Sequence, residues 1–211
     1  MYITPHDVLI VTDVQNDFCD RGALAVPDGD SVIDPIHKVA HLFEHIVQTQ
    51  DWHPAHHSSF ASSHPGKKPF DDIEMSYGPQ TLWPDHCIQG SMGANFHPAL
   101  RLPRAELILR KGFRSAIDSY SAFFENDHTT HTGLTSYLKE RELTRVFLVG
   151  LAYDFCVGYS ALDARRIGLP AVIIRDACRA IDTHGSLEYM DKQFAEAGVD
   201  VVNSTDLSDQ I

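Results

Sequence analysis

Short apolar runs that end on a polar residue recur along this chain of 211 residues, and helical patterns lie between them. The first run, 7–13, reads Asp7-Val8-Leu9-Ile10-Val11-Thr12-Asp13. Its core shows no alternation of apolar and polar positions, the mark of a strand buried on both faces. Comparable runs stand at 46–51, 105–112, 145–150, 170–175 and 199–202. Asp34 as N-cap and Pro35 in the first turn open a helix that carries Ile36, Val39, Ala40 and Phe43 and ends near His45. Residues 134–140 predict a second helix. Val157, Ala161, Ala164 and Ile167 mark a third, and Leu187, Met190, Phe194 and Ala197 a fourth. Strands alternating with helices predict an α/β fold, with one parallel sheet of about six strands and helices on both faces. At 43% apolar composition the chain supports one well-buried domain over 1–211.

Seventeen basic against 29 acidic residues give a net charge of −12, which argues against a nucleic-acid or anionic-membrane surface. No apolar run approaches a membrane span, and Met1–Asp7 has no basic region ahead of an apolar core, so no signal peptide is expected. The four cysteines, Cys19, Cys87, Cys156 and Cys178, then read as reduced thiols of a cytoplasmic protein. The stretch 54–103 has no sustained period and is rich in His, Pro, Ser and Gly. A structureless stretch of that length inside one domain points to a functional loop insertion.

In parallel sheets ligands sit outside the carboxyl ends of the strands. Asp13 ends the first strand, Asp51 the second and Lys111 the third, while Cys156 follows the fourth at a helix start. A helix start favours a thiolate and aims backbone N–H groups at whatever the sulfur attacks. A cysteine nucleophile needs a base and a cation, and Asp13 and Lys111 are of those types. The alternative is a structural Asp13–Lys111 ion pair. Asp51 and His53, spaced i and i+2 at a strand end, project to one side and can share a metal ion. His86 supplies a third ligand from the long loop, which leaves open positions for water or substrate. His57 is either a fourth ligand or a partner that orients one. Cys87 is either a ligand or a packed thiol. His56 and His64 are expected on the exposed loop.

These segments resemble the nicotinamidase (pyrazinamidase) family within the isochorismatase-like cysteine hydrolases. The matching runs are Asp13-Val14-Gln15-Asn16-Asp17-Phe18-Cys19, Gln50-Asp51-Trp52-His53-Pro54 and Leu82-Trp83-Pro84-Asp85-His86-Cys87. Arg110-Lys111-Gly112, Ser119-Tyr120-Ser121-Ala122-Phe123, Gly150-Leu151-Ala152 with Asp154-Phe155-Cys156-Val157, and Asp176-Ala177-Cys178 follow in the family's order. The resemblance implies Asp13, Lys111 and Cys156 as catalytic residues. It implies one divalent metal ion (zinc, iron(II) or manganese) on Asp51, His53 and His86. It further implies an oxyanion site at the Ala152 and Cys156 N–H groups beside a cis Leu151–Ala152 bond, and a substrate ring held by Phe18, Trp83 and Tyr120. Tyr153 and Phe155 depart from the residues common in relatives, and both are expected near the pocket.

The implied reaction is hydrolysis of nicotinamide to nicotinate and ammonia through a thioester, with pyrazinamide as an analogue. Rivals are a carbamoyl-amide hydrolase, whose relatives lack the metal motifs, an isochorismatase proper, which lacks the cysteine, and a metal-binding protein with a dead site. The sequence leaves open homo-oligomer formation, the metal, and whether the product enters NAD recycling or a catabolic route.

Overall fold

The Asp7 carboxylate and the Arg145 guanidinium face each other across the starts of two neighbouring strands. Arg145 Nε donates to Asp7 Oδ1 at 2.7 Å and Nη2 to Oδ2 at 2.6 Å. This fork pins the register at the end of the sheet away from the polar strand tips. The computed structural model describes residues 1–209. In chain order the elements are β1 (Tyr2–Ile3), β2 (Asp7–Thr12), α1 (Ile33–Ala40), β3 (His45–Asp51), β4 (Asp72–Met75), β5 (Gly78–Thr81) and β6 (Leu107–Lys111). They continue with α2 (Leu134–Glu140), β7 (Arg145–Leu151), α3 (Gly158–Arg166), β8 (Ala171–Arg179), α4 (Ser186–Ala197), β9 (Asp200–Val202) and β10 (Ser208–Asp209).

Six of these strands form one sheet in the order β6-β3-β2-β7-β8-β9, and every neighbouring pair is parallel. The chain runs outward from β2 through β3 to β6, then returns to the other side of β2 with β7. The order therefore reverses beside β2, and the strand tips there frame a crevice. The pleat sends alternate side chains to opposite faces. Leu9 and Val11 join Ile36, Val39, Phe43, Phe147 and Val149 in the core under α1. Val8 and Ile10 join Leu134, Leu138, Leu148, Ala161, Met190 and Phe194 in the core under α2, α3 and α4. The expected α/β architecture is therefore present, with helices on both faces.

Local details depart from the sequence reading. Asp34 does not cap α1. A 3-10 turn, Gly29–Val32, leads into the helix, and the Ile33 N–H already donates to Asp30 O. The helix ends at Ala40 rather than near His45, and Phe43 reaches the core from the following turn, 5.0 Å from Phe147. β8 runs past Arg175 to Arg179 because a register shift beside Leu148 and Gly150 absorbs the polar Arg175-Asp176 pair. Residues 54–103 contain the antiparallel β4–β5 hairpin and a 3-10 turn, Ala61–Ser63, within otherwise irregular chain. That chain still buries His57, Phe60, Leu82, Trp83, His86 and Cys87.

Candidate active site

Cys156 lies in a π-helical turn, Tyr153–Val157, ahead of α3, and not in the first turn of the α-helix as its sequence position predicts. The Val157 N–H donates back five residues to Ala152 O at 3.1 Å, which widens the turn. The turn begins directly after the cis Leu151–Ala152 bond. Behind the sulfur stands Lys111, at the tip of edge strand β6 yet 1% exposed. Its Nζ lies 2.7 Å from Asp51 Oδ1, 2.8 Å from Ser119 O and 3.4 Å from Cys156 Sγ. An ammonium has three N–H donors, and these acceptors share them with the Asp13 carboxylate. Asp13 Oδ2 lies 2.9 Å from Nζ as a second ion-pair partner. Asp13 Oδ1 is engaged by the Thr49 hydroxyl at 2.6 Å. The Asp13 carboxylate is thus held between the ammonium and the thiol.

Burial pushes the Cys156 thiol well above its ordinary range; Lys111 opposes the rise, and Asp13 and Asp51 add to it. Burial thus works against the thiolate that a helix start by itself favours. Burial also raises the Asp13 carboxyl, with Lys111 pulling it back. For Lys111, burial works against the charge, but Asp13 and Asp51 outweigh it and keep the ammonium protonated. The structure therefore needs a proton acceptor for the thiol, and Asp13 is placed to be one.

Asp51 joins this cluster to a second. Its Oδ1 serves Lys111, while its Oδ2 lies 3.3 Å from His53 Nε2 and 3.7 Å from His86 Nε2. His53 Nδ1 is 2.9 Å from Gly112 O and His86 Nδ1 is 2.8 Å from Pro84 O. Both Nδ1 atoms must carry the proton to donate to carbonyls, so both Nε2 lone pairs converge on Asp51 Oδ2. Two ligand atoms about 2.1 Å from one ion in a tetrahedral arrangement stand about 3.4 Å apart. The trio has the spacing, donor types and tautomers for a divalent metal. Gly112 is required beside it. Its φ is +66°, and a Cβ there would meet His53 Cε1 at 2.5 Å.

His57 packs at a tilt against His53 with ring centroids 4.5 Å apart, but both its nitrogens are engaged. Nδ1 accepts from Ser59 N–H at 3.1 Å and Nε2 donates to Arg114 O at 2.8 Å. This favours the orienting reading over a fourth ligand. Cys87 is a fully buried thiol, and burial with Asp51 and Asp17 nearby pushes its pKa well up. His56 is exposed, and His64 is half-buried with Nε2 donating to Ser58 O at 2.7 Å.

Both clusters open on one cavity, lined among others by Phe18, Trp83, Tyr120, Phe155, Ala152 and Cys156. The sequence reading named each of these. Tyr120 Oη accepts from Trp83 Nε1 at 3.1 Å, which sets those two rings at right angles. Leu24, Asp118 and Ile181 also line the cavity and were missed. Ile181 arrives because the buried Asp154 carboxylate accepts from the Ile181 and Asp182 N–H groups at 3.0 and 2.8 Å. No sequence signal marks Leu24 or Ile181, while Asp118 adjoins the Ser119–Phe123 run. Tyr153, expected near the pocket, turns away. It packs on Phe194, and its hydroxyl donates to Asp191 at 2.6 Å.

Thiol, ammonium and carboxylate gathered at the tips of a parallel sheet are the equipment of a hydrolase working through a cysteine nucleophile. The chain belongs to the isochorismatase family: the model of the isochorismatase domain matches residues 7–206. Within it the chain sits among nicotinamidases. It is 53% identical to the nicotinamidase of Acinetobacter baylyi, covering 94% of this chain and 93% of that one. The solved Acinetobacter baumanii nicotinamidase/pyrazinamidase superposes with a TM-score of 0.95 at 54% identity, over 96% and 98% of the two chains. A protein from L. infantum solved in complex with nicotinate superposes at 0.87 with 36% identity, over 100% and 99%.

Proposed function

We propose that this enzyme hydrolyses nicotinamide to nicotinate and ammonia, and turns over pyrazinamide as an analogue. The observation that carries the reading is Asp51, whose two oxygens tie a Lys111–Asp13–Cys156 cluster to a His53–His86 donor pair at one cavity. Asp13 takes the thiol proton, and Lys111 supports the resulting thiolate. The sulfur attacks the amide carbon, and the carbonyl oxygen, now negative, faces the N–H groups of Ala152 and Cys156. The C–N bond breaks as Asp13 returns the proton to the leaving nitrogen, so ammonia departs and a thioester remains. Water, deprotonated by Asp13, then attacks the thioester; nicotinate leaves and the thiol re-forms.

Asp51, His53 and His86 would hold the metal ion, for which zinc, iron(II) and manganese suit the donor set. When bound, the ion supplies a Lewis-acid position for the pyridine nitrogen. Phe18, Trp83 and Tyr120 hold the ring and exclude water from around the sulfur. Ammonia release from nicotinamide, measured with and without a chelator, tests the reading. Turnover that is absent with nicotinamide, or unchanged in metal-free protein, would overturn the corresponding part.

A further inference from the structure

We infer that Cys19, Asp30 and His97 form a second metal site, suited to a borderline-soft divalent cation such as zinc or cadmium. The three residues come from separate segments. Cys19 ends the 3-10 turn Asn16–Phe18, Asp30 lies in the turn before α1, and His97 lies in the long loop. The fold brings one donor atom of each within 4.8 Å of the others, as it does for Asp51, His53 and His86. Asp30 Oδ2 and His97 Nε2 are 3.8 Å apart, against 3.3 and 3.7 Å in that other trio. Sulfur, imidazole and carboxylate together select zinc-like ions over magnesium or calcium.

The surroundings fit a cation. Asp30 Oδ1 accepts from the Asp20 N–H at 2.8 Å, which orients the carboxylate and leaves Oδ2 toward the site. The His97 backbone is fixed by its N–H bond to Val14 O at 2.9 Å. To ligate through Nε2, His97 moves its proton to Nδ1 and gives up a long 3.2 Å contact with the Ala99 N–H. Among the described residues, His97 is the only ion-pair partner of Asp30. The cluster of Asp13, Asp51 and Cys156 differs, because the Lys111 ammonium already fills it. Cys19 is 1% exposed, while the Asp30 and His97 side chains are 46% and 21% exposed, so an ion can enter from solvent. Burial, with the Asp30 charge beside it, pushes the Cys19 thiol up to about 12, so binding must displace its proton. A bound ion would tie these three segments together next to Phe18, a wall of the active-site cavity.

Cadmium titrated into the purified full-length protein tests the site, read by the ultraviolet thiolate-to-cadmium band. The Asp51–His53–His86 trio has no sulfur and gives no such band. The expected result is a band saturating at one ion per chain and retained in Cys156→Ala and in His53→Ala. It should vanish in Cys19→Ser, with nicotinamide turnover and circular dichroism preserved, and bind at least about tenfold more weakly in His97→Ala. Should Cys19→Ser fail to fold, His97→Ala decides. Absence of the band in the wild type, its loss in Cys156→Ala, its survival in Cys19→Ser or unchanged affinity in His97→Ala would each overturn the inference.

Discussion

Lys111 holds a buried charge among Asp51, Asp13, the Ser119 carbonyl and Cys156. Replacing it with Met removes the cation that opposes the rise of the Cys156 pKa. The thiol should therefore move further up, and alkylation by iodoacetamide at a fixed neutral pH should slow. Turnover should fall at least about a hundredfold. Two carboxylates left without their cation should also cost about 3 kcal/mol in urea unfolding. Asp13→Asn should lose activity comparably, and the double mutant should be little worse, since the residues act as a unit. An unchanged alkylation profile in Lys111→Met would leave the lysine a structural partner only. Cys156→Ala should abolish turnover in a folded protein, while Cys19→Ala, Cys87→Ala and Cys178→Ala keep most of it. Substantial turnover in Cys156→Ala would end the covalent mechanism. The chemical types Asp, Lys and Cys were readable from strand ends. The upward push that burial and the Asp13 and Asp51 carboxylates give the thiol was not, because those groups meet only in the fold.

At the scale of elements, the bend that closes β6 orients His53. Gly112→Ala forces a Cβ to within 2.5 Å of the His53 ring at a φ of +66° and disturbs the carbonyl that fixes its tautomer. Metal affinity should fall about 10–100-fold by titration, with the sheet intact by circular dichroism. Wild-type affinity would show that the Gly112–His53 bond is incidental. A second turn offers a pH test. At Asp127 the burial penalty is outweighed by the summed hydrogen bonds from the Thr130 hydroxyl and the Thr130 and Thr129 N–H groups, which bring its pKa down to about 2. A depressed carboxylate contributes stability above its unfolded pKa, and that contribution is lost as pH falls from about 4 toward about 2. NMR titration should give a midpoint near 2 for Asp127, with the Thr130 amide shift following it. A midpoint at the ordinary 3.8 would remove the turn's claim. Helix α2 over 134–140 was legible to the residue. The π-helical turn at Cys156 was not, because a bond five residues back depends on where β7 presents the Ala152 carbonyl.

For the whole molecule, metal binding and folding are linked, since the donor trio assembles only when β3 and the long loop are both in place. A chelator should lower the melting temperature as well as the activity, and re-addition of zinc, iron(II) or manganese should restore both. A melting curve indifferent to chelation would mean that no resident ion contributes to stability. No helix among the described residues is long and apolar enough to cross a membrane. The sequence by itself determined the alternation of strands and helices, the polar tips Asp13, Asp51 and Lys111, and the residue types His53, His86 and Cys156. Apolar runs, helical spacing and strand-end position are local properties that a chain carries in any conformation. Tertiary structure alone decided that Leu24, Asp118 and Ile181 wall the cavity and that Tyr153 does not. It alone joined Cys19 to Asp30 and His97. Those meetings are set by loop paths and by long-range hydrogen bonds such as Asp154 to Ile181, whose partners share no local pattern.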